Sequence, residues 1–230
     1  MAIATIPSLY RSSVGKKAIM AVTGAFMVLF LIGHMIGNLK IFFGLEEFNG
    51  YAAWLRTIGE PALHHEWFLW IMRVLLVVAV FMHFGAAAEL TARAKRARPV
   101  KYQHRAKVNG SYAARTMRWG GVIILLFIIW HILDLTVGVA NPHGVHGEAY
   151  QNVVAGFAPD RWWVTIFYVV SMVMLGFHLR HGLVSAVQTL GLKNPKHDRS
   201  LNVIATLFAV VISIGFLIVP ISVTLGVVDS

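Results

Sequence analysis

Residues 162–188 read WWVTIFYVVSMVMLGFHLRHGLVSAVQ, an apolar run that opens on two tryptophans and carries a histidine, His178, deep inside it. About 20 apolar residues suffice to cross the hydrocarbon core of a bilayer as an α-helix. An ionisable side chain inside such a run is costly and usually faces the bundle interior. The pattern recurs along the chain. Runs at 18–43, 66–90 and 119–140 carry His34, His83 and His131, and a last run at 201–228 carries no histidine. The sequence therefore predicts an all-α integral membrane protein, one domain over residues 1–230 with five transmembrane helices. Four histidine-bearing helices form its core, and the fifth is a packing helix at the periphery.

Composition points the same way. The chain is 57% hydrophobic and only 13% charged, with a mean hydropathy of +0.68, whereas soluble domains carry about 25% charged residues. A formal net charge of +10 does not indicate nucleic acid here, because the basic residues sit in short loops between apolar runs. The first run is too long for a signal-peptide core and no small-residue cleavage site comes after it, so it is expected to be a retained span. The chain has no cysteine, which excludes disulfides, thiolate-held iron–sulfur clusters and covalent attachment of a c-type haem.

Lysine and arginine sort by loop. Arg11, Lys16 and Lys17 precede the first span, and Arg93, Lys95, Arg96, Arg98, Lys101, Arg105, Lys107, Arg115 and Arg118 crowd the second connection. Lys193, Lys196 and Arg199 fill the fourth. The alternate connections hold Lys40, Arg56 and Arg161 with most of the acids: Glu46, Glu47, Glu60, Glu148 and Asp160. The positive-inside rule then predicts a cytoplasmic N-terminus and an outside C-terminus.

With that topology, position converts to depth. At a helical rise of 1.5 Å, His34 and His131 each lie about 14 Å from the outer ends of their spans, and His83 and His178 about 10 to 15 Å from their inner ends. Two histidines thus share an outer level and two an inner level, each pair drawn from different helices. Bis-histidine ligation of two stacked b-type haems requires this arrangement, so His34 with His131 is assigned to an outer haem iron and His83 with His178 to an inner one. Depth alone leaves His181, one turn after His178, as an alternative inner ligand.

Other polar residues suit supporting roles. Arg73, Arg180 and His181 are candidate partners for anionic haem propionates. Asp134 and Glu89 could serve as proton-relay groups, but the preferred reading is that each pairs with a nearby arginine. His64, His65 and Glu66, at the outer mouth of the second span, form a candidate quinone or proton-exchange site. His143 and His146 resemble a small metal site but read as a solvated Gly-rich loop. Phe48, Tyr51, Ala52, Leu55 and Ile58 recur at helical spacing and predict an amphipathic helix along the outer interface. Trp162 and Trp163 suit an aromatic belt.

These residues also resemble a known family. Ser13-Val14-Gly15-Lys16-Lys17, Gly33-His34-Met35, Phe48-Asn49-Gly50-Tyr51-Ala52, Trp130-His131 and Ala149-Tyr150-Gln151-Asn152-Val153-Val154 are succeeded by Phe177-His178-Leu179-Arg180-His181-Gly182-Leu183-Val184-Ser185 and Leu190-Gly191. Their order and spacing are similar to the single-chain, five-helix, di-haem cytochrome b anchor of succinate:quinone oxidoreductases, the succinate dehydrogenases and fumarate reductases. The resemblance implies two haem b groups, a quinone substrate (menaquinone), and flavoprotein and iron–sulfur partner subunits on the cytoplasmic face of a bacterial inner membrane. It implies a subunit that is not itself the catalytic head, favours His178 over His181 as ligand, and makes the basic second connection a docking surface for the iron–sulfur subunit. One departure is plain: where some members carry a glutamate two residues before the last ligand, this chain has Gly176. Two other readings stay open on the residues alone. One is the cytochrome b anchor of a formate dehydrogenase or hydrogenase, and the other a haem-free membrane transporter.

Overall fold

Ser12 starts the first span, its hydroxyl accepting a hydrogen bond from the Gly15 amide at 2.9 Å and so satisfying one of the orphan donors at the helix start. The computed structural model describes residues 11–97, 112–145 and 147–229. Arg98, Lys101, Arg105 and Lys107 of the basic connection, and His146, lie outside them. Five helices are long and apolar enough to cross a membrane, as the sequence predicts. They are α1 (Ser13–Leu39), α3 (Trp67–Arg96), α4 (Tyr112–His131), α6 (Trp162–Thr189) and α7 (Asp198–Thr224). Two shorter helices, α2 (Leu45–Thr57) and α5 (Ala149–Gly156), lie in the first and third connections.

The third span departs from the expected run to residue 140. Its α-helix stops at His131 and continues as one π turn, Ile132–Thr136, before Gly138 turns the chain at a φ of +82°. A π turn inserts an extra residue into the helical ladder and re-aims the side chains beyond it. Here it brings Asp134 inward, where it is almost fully buried.

The helices do not pack evenly. α6 and α7 share the closest interface, α1 lies against α3, α6 and α7, and α4 lies against α6. Among the described residues α1 shares no comparable interface with α4, nor α3 with α6. Small residues and side-chain hydrogen bonds hold the α6–α7 contact, as expected where lipid removes the hydrophobic incentive for helices to associate. A Cβ on Gly176 would stand 2.8 Å from Ser213 Oγ. Ser213 donates to the Met172 carbonyl at 3.3 Å, and the hydroxyls of Thr165 and Thr224 meet at 2.6 Å. Met35 of α1 lays its thioether on the bare backbone of Gly215 in α7. The histidine-free fifth span is thus the packing helix for both α1 and α6.

Large apolar side chains elsewhere face outward, among them Leu29, Phe81, Val211 and Ile214. That is the surface a lipid-facing helix needs.

Two charged clusters lie at opposite ends of the bundle. At the end where α1 begins, buried Lys16 reaches Glu89 at 2.7 Å, and Arg93 bonds the same carboxylate. At the far end, Arg161 is only 5% exposed. It donates to Asp134 at 2.7 Å, to Asn141 Oδ1 at 3.2 Å and to the Ala140 carbonyl at 3.1 Å. The sequence reading counts Arg161 as a loop cation; the structure makes it a buried bolt across the third connection. Asp134 and Glu89 are both held by cations, the pairing alternative to a free relay group.

α2 carries the predicted amphipathic pattern. It buries Phe48 against Tyr150 of α5, with ring centres 6.1 Å apart, and Asn49 Oδ1 accepts from the Tyr150 amide at 3.0 Å. Tyr51 packs on Gly37 of α1, where a Cβ would stand 2.8 Å from its ring. Trp162 and Trp163 are about half exposed, as belt residues would be.

Candidate functional site: two histidine pairs between unpacked helices

His34 sits near the C-terminal end of α1, and His131 is the last α-helical residue of α4. Their ring centres lie 5.8 Å apart with the planes at 85°. His83 of α3 and His178 of α6 form the second pair, ring centres 6.0 Å apart and planes at 52°. Each pair bridges two helices that do not pack closely on one another, α1 with α4 and α3 with α6. The structure therefore brings together the same partners that depth pairs in the sequence.

Aromatic side chains close around the first pair. Phe30 stacks on His34 at 5.2 Å, Phe216 lies 5.8 Å from His34, and Phe127 stacks on His131 at 5.6 Å. One ring in each pair is held from behind. His131 Nδ1 lies 3.0 Å from the Tyr168 hydroxyl, and His83 Nδ1 lies 3.1 Å from the Thr23 hydroxyl. Gly24 lies beside the same ring, where a Cβ would stand 3.4 Å from His83 Cε1, in ordinary van der Waals contact. Sequence reading missed both Tyr168 and Thr23, because neither stands out within an apolar run.

These side chains fit a b-type haem. Two histidine–metal bonds of about 2 Å, end to end, set the ring centres about 6 Å apart, close to both observed spacings. A flat macrocycle would have to lie between helices that do not pack closely, and each histidine pair stands between two such helices, α1 with α4 and α3 with α6. His178 Nδ1 is buried with no partner among the described residues, a state that histidine rarely keeps without something to satisfy it. No group of three or more His, Asp or Glu gathers among the described residues; the two histidine pairs are the donors the site offers.

The remaining candidates are dispersed. Arg180 donates through Nε to Thr206 of α7 at 2.9 Å. Arg73 lies over the Trp70 ring at 4.8 Å. His65 meets Glu60 at 3.1 Å, Glu66 meets Arg56 at 3.2 Å, and His64 sits edge-on to Trp67 at 5.1 Å. The three residues at the mouth of α3 are thus each held by a different neighbour rather than gathered on one point. His143 is exposed, as a solvated loop residue is.

No solved structure matches the chain. A curated relative, the succinate dehydrogenase cytochrome b558 subunit of Bacillus subtilis (strain 168), is 23% identical over 179 residues, covering 78% of this chain and 80% of its own. The family model for the succinate dehydrogenase/fumarate reductase transmembrane subunit matches residues 94–216. That stretch holds His131, His178, Arg180 and His181, and it spans more than half of the protein. With five membrane-length helices and this match, the chain belongs to the succinate dehydrogenase/fumarate reductase transmembrane subunit family.

Proposed function

We propose that this chain is the cytochrome b membrane anchor of a succinate:quinone oxidoreductase, passing electrons between an iron–sulfur subunit and a quinone, menaquinone, through two b-type haems. The observation that carries the reading is the pairing of four membrane histidines, from four helices, across the two interfaces that the bundle leaves unpacked. His34 and His131 would hold one haem, and His83 and His178 the other. Bound haem supplies reversible one-electron chemistry, and the protein's levers on it are axial ligation, hydrogen bonding and burial.

The side chains then divide the work. The histidines fix two levels within the membrane, and the phenylalanines around His34 and His131 keep water from the first pair. Arg73, Arg180 and His181 are the proposed propionate partners. Arg180 engages Thr206 through Nε, and its guanidinium carries further donors. His64, His65 and Glu66 are the proposed quinone or proton-exchange residues.

Lysine and arginine asymmetry supports a cytoplasmic N-terminus in a bacterial inner membrane. The iron–sulfur and flavoprotein partners would then dock on the face where α1 begins, and succinate chemistry would reside in those partners.

Purified complex should give a reduced-minus-oxidised b-type spectrum and two haems per chain by pyridine haemochrome. A folded preparation with no b-type absorbance would overturn the reading.

A further inference from the structure

Each histidine pair contains one ring whose Nδ1 meets a hydroxyl, and the two hydroxyls differ in kind. Thr23 Oγ1 lies 2.7 Å from the Ile19 carbonyl, one turn back on its own helix, and it donates its proton there. Toward His83 it is left as an acceptor for a proton on Nδ1, a tautomer that frees Nε2 to bind a metal. The Met20 carbonyl, 3.4 Å from Thr23 Oγ1, is a second acceptor at the same ring. Among the described residues Tyr168 makes no such hydroxyl bond to its own helix. Its phenol reaches His131 Nδ1 from α6 while its ring is wedged edge-on between Phe127 at 4.8 Å and Phe157 at 4.7 Å. Both neighbours lie on other elements, so the phenol cannot swing away.

Behind it lies a charged residue with an unused oxygen. Asp134 gives Oδ1 to Arg161, while Oδ2 is buried with no partner among the described residues. That oxygen lies beside Gly156, the residue preceding Phe157. The surroundings of His131 are therefore aromatic, with the Asp134–Arg161 ion pair beyond them, and His83 meets an alcohol on a neighbouring helix.

We propose that Tyr168 and Thr23 are positioning residues that separately orient and tune the two histidine pairs, Tyr168 through His131 and Thr23 through His83. This rests on the bis-histidine reading above. With Nε2 on the metal, His131 Nδ1 carries the ring proton and donates it to the Tyr168 oxygen, as His83 Nδ1 does to the Thr23 oxygen. Such an acceptor fixes the tautomer and raises the basicity of the ligating imidazole. A more basic ligand favours the oxidised metal and lowers the midpoint potential. Removing either hydroxyl should therefore raise the potential of one haem and leave the other where it was.

The test uses the intact purified complex. Tyr168→Phe and Thr23→Val each remove a hydroxyl with little change in shape, and Thr23→Ser keeps one. Haem content is measured first by pyridine haemochrome, then the two potentials by redox titration, with low-temperature electron paramagnetic resonance reporting ligand orientation. The expected result is two haems retained in every variant. Y168F shifts one component in potential and signal, T23V shifts the other, and T23S behaves as the parent. Both variants moving the same haem, both haems moving together, or neither moving would overturn the proposal. Loss of haem from Y168F with the parent intact would also overturn it, since a positioning residue leaves the ligand in place. An unaltered parent without haem would instead defeat the bis-histidine reading itself.

Discussion

Arg161 Nη2 lies 2.7 Å from Asp134 Oδ1, and both side chains are withdrawn from solvent, at 6% and 0% exposure. Breaking a buried pair by removing one partner leaves an uncompensated charge and costs about 3–5 kcal/mol. Asp134→Ala should therefore destabilise the protein by an amount in that range. Arg161→Ala should cost at least as much, because Asn141 Oδ1 and the Ala140 carbonyl lose their donor as well. Thermal unfolding in detergent, monitored by circular dichroism, checks both. A loss below about 1 kcal/mol, the level of a surface pair, would show that the pair is solvated.

Replacing either member of one histidine pair should remove one haem and spare the other. His34→Ala and His131→Ala should each halve the haem-to-protein ratio, and the absorbance that survives should be the same in both. His83→Ala and His178→Ala should leave the complementary component. If a folded His34→Ala protein lost both haems, the assignment of ligands to two separate levels would be wrong.

Packing at Gly176 makes a prediction about shape alone. A methyl group there meets Ser213 Oγ at 2.8 Å and the Ala209 carbonyl at 3.9 Å. Overpacking of this kind costs about 1–3 kcal/mol. Gly176→Ala should lower the thermal midpoint, and the double change Gly176→Ala with Ser213→Ala should recover most of it. Gly176→Glu should be worse than alanine, since the longer chain must enter the same α6–α7 contact. Equal midpoints for Gly176→Ala and the parent would refute tight helix contact at this point.

The absence of cysteine gives a background-free test of orientation. Thr57→Cys in the first connection and Lys193→Cys in the fourth place single thiols at exposed positions. With a cytoplasmic N-terminus, a membrane-impermeant maleimide added to intact cells should label the first and miss the second. The opposite pattern would invert the topology.

Much of this was legible beforehand, for a physical reason. Histidine inside hydrocarbon is expensive, so His34, His83, His131 and His178 stand out, and a fixed helical rise turns their positions into levels. What depth does not contain is rotation about the helix axis. Tyr168 and Thr23 gain their roles from the faces they share with His131 and His83, and an apolar run hides that. Arg161 misled for a related reason. Counting loop charges treats a cation as solvated, whereas the π turn after His131 turns Asp134 inward and draws the arginine in behind it. Arg180 shows the limit in the other direction, since its neighbour His178 faces α3 while its own Nε bonds Thr206 of α7.

The contact between α2 and α5 has a consequence for the order in which the protein is made. Asn49 waits for the Tyr150 amide, and the Tyr150 hydroxyl in turn donates to the carbonyl of Asp229 at 2.9 Å. A ribosome delivers these residues in sequence, so the roof over that end of the bundle is closed only after the last span has been inserted.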